Sequence, residues 1–320
     1  MSGQPPVVVI TGPTATGKTP LAIDLARAFE GEIVSADSMQ VFRFMDIGTA
    51  KPTAEQQGLV PHHMLDVVNP DVPYSAGLYA QAARALAQRI HARSRVVLLV
   101  GGTGLYIRAF LEGLIEGADV DPDLREGLER EHARALAEED PKRLYRRLEE
   151  VDPAAAERLH PNDTRRILRA LEICTQLGRP ASEVRREHAF SDRPFRVLHL
   201  ALDLPTAVLA ERIDARCHEM IEGGLLQEMR ELQKLGYGPE LRPLQAIGYR
   251  HMAPVAAGID ILANALPAMQ RDTRQFARRQ RTWLRSEPGV VWVDPRDSAK
   301  IRKRVSDFLD HAPTPPGTAG

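Results

Sequence analysis

One stretch near the start of the chain governs what the rest can become. Val7-Val8-Val9-Ile10-Thr11 runs into Gly12-Pro13-Thr14-Ala15-Thr16-Gly17-Lys18-Thr19, and Leu21, Ile23, Leu25 and Ala26 follow at helical spacing. This is the spacing G-x-x-x-x-G-K-[ST], a phosphate-binding P-loop in the strand–loop–helix setting that its chemistry requires. The glycines let backbone N–H groups turn inward on a phosphate. The helix N-terminus adds positive potential, and Lys18 adds a point charge. The alternative, an ordinary strand-to-helix turn, is disfavoured by the apolar strand before the loop and the helix after it. The chain is therefore expected to hold a phosphate or diphosphate here.

Further along, strands and helices alternate. Strands are expected at 7–11, 32–36, 64–67, 96–100, 196–202 and 290–293, and helices at 18–29, 75–91, 105–114, 206–235 and 266–285. Val96–Val100 is wholly apolar, as a central parallel strand buried on both faces should be. The pattern predicts an α/β fold, a P-loop-type doubly wound parallel sheet whose ligands sit beyond the carboxyl ends of the strands. Gly12–Thr19, Asp37, His62-His63 and Gly101–Gly104 all fall at such ends. From Asp119 to His188 the character changes to Arg- and Glu-rich helices (122–138, 141–150, 153–159 and 163–177) without a convincing strand. The expected organisation is a discontinuous core, 1–118 with 189–311, an all-helical insertion domain at 119–188, and a disordered tail at 312–320. Gly178-Arg179-Pro180 and Asp192-Arg193-Pro194 serve as exit turns.

Composition excludes several classes. No run of eighteen apolar residues occurs and no leader pattern is visible, so a cytoplasmic protein without membrane contact is expected. Cys174 and Cys217 lie far apart in helical patterns and read as buried thiols. Lys and Arg number 42 against 43 Asp and Glu. That balance alone argues against a nucleic-acid partner, but the cations are clustered.

The strand Val96–Val100 ends in Gly101-Gly102-Thr103-Gly104 and carries no Walker-B carboxylate, so an ATP-hydrolysing motor is hard to build on this loop. The Gly-rich turn offers close backbone approach and a hydroxyl, or is simply a tight turn into a helix. Asp37, eighteen residues after Thr19, is placed either to act as a general base or metal-linked group, or to cap the next turn. Arg212 and Arg216 share one side of a helix and either clamp a diphosphate or form a solvated face. Arg271, Arg274, Arg278, Arg281 and Arg285 recur at helical spacing as a stripe that only Asp272 interrupts. A second cluster, Arg165, Arg166 and Arg169, is followed by Arg179, Arg185 and Arg186. Two such patches fit a nucleic-acid backbone. His62 and His63 lack a second ligand pair and read as structural.

Taken together, these segments resemble the tRNA dimethylallyltransferase (tRNA isopentenyltransferase) family of bacteria. The resemblance is carried by GPTATGKT at 12–19, SADSMQ at 35–40, DIGTAKP at 46–52, PHH at 61–63 and GGTGLY at 101–106. It continues in PNDTRRILRALE at 161–172, QAIGYR at 245–250 and TRQFARRQRTWLR at 273–285, from about residue 7 to 294. It implies transfer of a dimethylallyl group from dimethylallyl diphosphate to N6 of the adenosine 3′-adjacent to the tRNA anticodon. The P-loop then grips the diphosphate of the prenyl donor, which accounts for the missing Walker-B acid. Four positions are implied as catalytic. Asp37 receives the N6 proton or orients the amine, Thr19 binds the diphosphate and its Mg²⁺, Arg216 stabilises the leaving diphosphate, and Thr103 contacts the tRNA near the reacting base. The anticodon stem-loop is expected on Asp37, Ser38, Met39 and Gln40, and on Arg125, Arg165, Arg166, Ile167, Leu168 and Arg169. Further contacts are expected from Gln245, Ala246, Ile247, Gly248, Tyr249 and Arg250, with Arg274, Arg278 and Arg281 in the basic stripe. A monomer is expected. The rival reading is a small-molecule or nucleoside kinase whose helical insertion is a lid, and a second is a non-catalytic RNA-binding module.

Overall fold

The β-branched run at the start forms β1 (Pro6–Thr11), in which Val7, Val8, Val9 and Ile10 are fully buried. Such a strand needs neighbours on both edges and apolar cover on both faces, and it has them. The structure is a computed structural model, and it describes residues 4–113, 121–188 and 194–311. The proposed tail at 312–320, the turn residues Asp192 and Arg193, and the expected boundaries at 118–119 and 188–189 lie wholly or partly outside the described residues. The other strands are β2 (Gly31–Ala36), β3 (His62–His63), β4 (Val96–Gly101), β5 (Arg196–Leu202) and β6 (Val290–Val293). They make one six-stranded sheet of order β3-β2-β4-β1-β5-β6. Every pairing is parallel. On one edge of β1, Val9 stands opposite Leu99, and on the other it stands opposite His199. The order of connection reverses at β1, and open α/β sheets bind ligands at such a switch point.

Alternate side chains of β1 feed two apolar layers. Val8 and Ile10 join Leu98, Val100, Leu200 and Leu202 beneath α1 (Lys18–Ala28). Val7 and Val9 join Val34 and Leu99 in a larger cluster on the opposite face. The remaining helices of the core are α2 (Ala54–Leu59), α3 (Ala76–Ala92) and α4 (Gly104–Glu112). The chain divides into two compact units, Met1–Leu111 with Pro194–Gly320, and Glu112–Arg193. The second holds α5 (Pro122–Ala137), α6 (Arg143–Val151), α7 (Pro153–Arg158), α8 (Thr164–Leu177) and α9 (Ala181–His188) around its own cluster of Leu128, Leu144, Leu148, Ile167, Leu168 and Leu171. Back in the first unit come α10 (Thr206–Glu222), α11 (Leu225–Lys234), α12 (Tyr249–Ala256), α13 (Leu262–Ser286) and α14 (Ser298–Asp310).

Several expectations shift. The third strand is not 64–67 but His62–His63, because Met64 and Asp66 adopt left-handed backbone (φ 63° and 53°) that no strand can continue through. The Asp66 carboxylate is drawn instead to Lys51 Nζ at 2.7 Å. The short α2 was not apparent from periodicity, and it is held by a capping box between Thr53 and Gln56. The expected pause at Gly223-Gly224 within 206–235 is present: the segment divides into α10 and α11 where Gly224 turns left-handed (φ 100°). The last long helix begins at Leu262, with Pro267 near its start.

Candidate active site

The loop between β1 and α1 keeps its shape by contacts that only these residues provide. Gly12 has φ 139°, and a Cβ there would stand 2.5 Å from the Leu202 carbonyl oxygen. Gly17 begins α1 in a left-handed conformation (φ 90°). The fully buried Thr16 hydroxyl donates to the Pro13 carbonyl at 2.8 Å and closes the turn. Lys18 Nζ donates to the carbonyls of Gly12 (3.1 Å) and Pro13 (2.9 Å). Burial pulls its pKa down to about 8, the Arg216 charge adds to that, and Asp37 opposes it.

Arg216 reaches the loop from α10, and its Nη1 donates to Thr14 Oγ1 at 3.0 Å. Burial lowers its pKa, and Asp37 again raises it. Among the described residues neither Lys18 nor Arg216 has an ion-pair partner, so two cations converge on the loop with Asp37 as the nearby balancing charge. Arg212, one turn earlier, is exposed and lies by Asp294, so the two arginines do not form a common clamp.

The Gly-rich turn after β4 is pinned to this loop by a residue that the sequence did not single out. Gln280 of α13 accepts from the Thr14 amide (2.9 Å) and donates to the Gly102 carbonyl (3.1 Å). Both turn glycines permit close approach. A Cβ on Gly101 would stand 2.2 Å from the Ala36 oxygen, and one on Gly102 would stand 2.3 Å from Gln280 Nε2. Thr103 Oγ1 accepts from the Ser38 amide at 2.9 Å and donates to Ser38 Oγ at 3.2 Å. Asp37 Oδ1 accepts from the Met39 amide at 2.8 Å. Asp37 thus caps its own turn, as one of its two sequence readings expected, while its charge bears on Lys18 and Arg216.

Lys18, Thr19, Ser35, Asp37, Gln40 and His62 are among the residues lining a small cavity of about 50 Å³ beside the loop. His62 Nδ1 donates to the Val60 carbonyl at 2.9 Å, and its buried Nε2 has no partner among the described residues. The hydroxyl of Thr19 and the carboxylate of Asp37 are hard oxygen donors. They suit Mg²⁺, which keeps most of its waters and leans on substrate phosphates rather than on a protein cage. Among the described residues there is no group of three His, Cys, Asp or Glu that would hold a metal alone. A larger hollow of about 490 Å³ lies on β6 and α14. Its Lys300 and Lys303 are paired with Asp297 and Asp307, and none of the loop residues lines it.

The segment DIGTAKP is explained by two anchors absent from the sequence-based site. Glu228 of α11 accepts from the amides of Asp46 (3.0 Å), Ile47 (2.8 Å) and Gly48 (3.1 Å), and from the Tyr249 hydroxyl (2.6 Å). The buried Lys51 holds Asp46, Asp66 and the Phe42 carbonyl. Only a carboxylate four-way contact of this kind would reveal Glu228, and no spacing in the sequence signals it.

Some residues expected at the RNA surface are not at any surface. Tyr249 is fully buried, and Gly248 is buried with it, because the Tyr249 ring packs under Gly48. Ile167 and Leu168 are 2% and 3% exposed in the core of the helical unit, so in PNDTRRILRALE the arginines face out and the aliphatics hold the helix. Arg125 and Arg169 both bind the fully buried Glu172, at 3.1 and 2.9 Å. Arg165 and Arg166 are exposed on α8. Of the other expected contacts, Gln245 and Arg250 are exposed, Ser38, Met39, Ala246 and Ile247 are half-buried, and Gln40 is spent on Ser35, Thr49 and Ala50. On α13, Arg274 is paired with Asp214, and Arg281 with Asp203 and the Leu204 carbonyl. Arg278 is exposed and has no ion-pair partner among the described residues.

Comparison with known proteins gives the family. A family model described as "IPP transferase" matches residues 40–287. The chain is 45% identical to a tRNA dimethylallyltransferase of Desulfatibacillum aliphaticivorans over 97% of this chain and 100% of that one. It is likewise 45% identical to one of Syntrophobacter fumaroxidans, over 96% and 90%. Among solved structures, a tRNA isopentenylpyrophosphate transferase from Bacillus halodurans superposes with a TM-score of 0.70 at 35% identity, covering 96% of this chain and 97% of that one. A eukaryotic dimethylallyltransferase acting on tRNA superposes with a TM-score of 0.82 at 28% identity, covering 98% and 81%.

Proposed function

The chain belongs to the IPP transferase family, and from that premise we propose its reaction: a dimethylallyl group passes from dimethylallyl diphosphate to tRNA, at N6 of the adenosine 3′-adjacent to the anticodon, giving N6-(dimethylallyl)adenosine. The observation that carries this reading is the pair Lys18 and Arg216, neither ion-paired among the described residues, with the Asp37 charge acting on both in a site whose β4 ends in glycine rather than in a Walker-B acid. The rival kinase reading is not favoured, since the relatives are named as transferases of the prenyl group.

The allylic C–O bond breaks with both electrons leaving on the diphosphate, and the N6 lone pair forms the new C–N bond. Charge grows on the diphosphate oxygens as the bond breaks. Lys18 and Arg216 are already oriented toward the loop, so their charge lowers that barrier with little reorganisation. Asp37 takes the proton that N6 sheds and is held for it by the Met39 amide. When bound, Mg²⁺ supplies further neutralisation of the leaving group, with Thr19 as its protein ligand. The adenine must leave its stack to reach the donor, and the turn 37–40 with Thr103 is braced to receive it. This reading requires only a single chain, and it puts the reaction in the cytoplasm. Among the described residues no helix is long and apolar enough to cross a membrane.

The test is mass analysis of nucleosides from unmodified tRNA incubated with the protein, dimethylallyl diphosphate and Mg²⁺. Dimethylallyl-adenosine is expected. Its absence, with ATP turnover on a small acceptor instead, would return the kinase reading. Asp37→Ala is expected to cut turnover by about 10²–10⁴-fold while tRNA affinity holds, and residual full turnover would remove Asp37 from its role as base.

A further inference from the structure

The segment between Val41 and Met45 alternates in an unusual way. Phe42 and Met45 are buried at 5% and 0% exposure, whereas Phe44 is 46% exposed. Phe44 also has φ 67°, a left-handed backbone that bulky side chains rarely adopt. A large apolar residue that is both strained and exposed contributes poorly to the fold, and such outliers point to function. Its ring stacks on Tyr237, with centroids 6.2 Å apart and planes 25° apart.

Both rings have firm mounts. The loop carrying Phe44 is anchored through Glu228 to α11, and Tyr237, just beyond α11, has its amide bonded to the Leu232 carbonyl. Beside Phe44, the exposed Arg43 is fixed by three neutral acceptors, the carbonyls of Asp66 and Val67 and the side-chain oxygen of Asn69. Among the described residues no carboxylate neutralises it, so its position is set while its charge stays available. Nearby Asp46 and Asp66 are instead neutralised by Lys51. The loop after Tyr237 leads to Arg242, whose charge bears on the Tyr106 phenol, as does that of Asp37. Arg242 of that loop and Asp37 of the candidate site thus act on the same phenol.

We propose that Phe44, backed by Tyr237, is a stacking platform for one unstacked base of the tRNA anticodon loop, with Arg43 on an adjoining phosphate. An exposed aromatic face next to a fixed, unneutralised guanidinium is the pairing that single-stranded RNA recognises. This rests on tRNA being the acceptor, as proposed above.

The experiment compares wild type with Phe44→Leu, Phe44→Tyr and Arg43→Gln, all full-length, by anisotropy with a synthetic anticodon stem-loop across a salt series, and with dimethylallyl diphosphate as a second ligand. Phe44→Leu keeps bulk and apolar character but loses the π-face, and its affinity for the hairpin is expected to fall about ten-fold or more. Phe44→Tyr is expected to bind like wild type. Arg43→Gln is expected to flatten the dependence of affinity on salt by about one unit of slope. Affinity for dimethylallyl diphosphate is expected to stay unchanged throughout, which shows that the variants are folded. A 2-aminopurine placed in the loop is expected to be quenched by wild type and not by Phe44→Leu. Equal hairpin affinity and equal quenching in wild type and Phe44→Leu would overturn the platform while leaving the acceptor assignment standing. A wild-type chain that bound neither hairpin nor tRNA would overturn the acceptor assignment itself, and the platform with it.

Discussion

Arginine plays two different parts in this molecule. In the helical unit many of the cations have acid partners. Arg143 meets Glu138 and Asp140, Arg146 meets Asp140, Arg147 meets Glu131, and Arg179 meets Glu183 and Glu187. Arg125 and Arg169 converge on one buried carboxylate, Glu172. At the P-loop end of the core, among the described residues, Lys18 and Arg216 are held by carbonyl and hydroxyl oxygens alone. A cation satisfied by acids has its charge spent within the fold. One satisfied by neutral oxygens keeps its charge for a ligand and is destabilised until that ligand arrives, which the lowered pKa values of Lys18 and Arg216 record.

If this distinction holds, substitutions in the two regions should separate stability from chemistry. The largest effect is expected from Arg216→Ala, with turnover reduced by about 10²–10³-fold, the scale of losing one donor to a developing anion. Its urea midpoint should barely move, and a collapse in stability would show Arg216 to be structural after all. Next is Glu172→Gln, which leaves two arginines beside a buried neutral amide. A loss of about 3 kcal/mol in urea unfolding is expected, with turnover of the folded fraction retained.

A smaller and more specific effect comes from pH. Lys18 must be protonated to grip a diphosphate, and in the free protein it loses its proton near about pH 8. Affinity for dimethylallyl diphosphate should be flat below that and then fall by up to about ten-fold per pH unit above it. Titration calorimetry in buffers of different ionisation heat should show proton uptake on binding above pH 8. Fold stability moves the other way. The native lysine holds fewer protons than the unfolded one between about 8 and 10.5, so stability rises with pH across that window. Lys18→Met should remove both slopes, and retention of either would assign it to another group. The smallest effect is expected from Asp163→Ala. It breaks an exposed pair with Arg166 and an N-cap, and should cost about 1 kcal/mol in the same unfolding assay.

The loop and sheet were legible because their signals are local. Glycine, a β-branched run and helical periodicity each act over a few residues, and they locate β1, α1, β4 and the turn at Gly101-Gly102. Asp37 was placed by its strand end alone. What stayed hidden depends on contacts across the chain. Gln280 is an ordinary polar residue until its helix brings it between Thr14 and Gly102. Glu228 is one of 43 acids until three amides converge on it. The error at β3 came from reading Met64–Val67 by its apolar residues while Asp66 was being drawn toward Lys51. The RNA-facing segments were over-read in the same way. Motif residues such as Ile167, Leu168 and Tyr249 are buried and pack the helices that carry their exposed neighbours.

The strand order has a consequence during synthesis. β1 gains one neighbour when Val96–Gly101 emerges from the ribosome, but its other neighbour, Arg196–Leu202, follows roughly a hundred residues later. At about 5–20 residues per second, that leaves an apolar strand with an open edge for about 5–20 s. Open apolar edges invite pairing with other chains. The helical unit is translated during this interval and has its own apolar cluster. The nascent protein therefore carries its phosphate loop on an unfinished sheet, and a chaperone that shields residues 6–11 until β5 arrives would raise the yield of native enzyme.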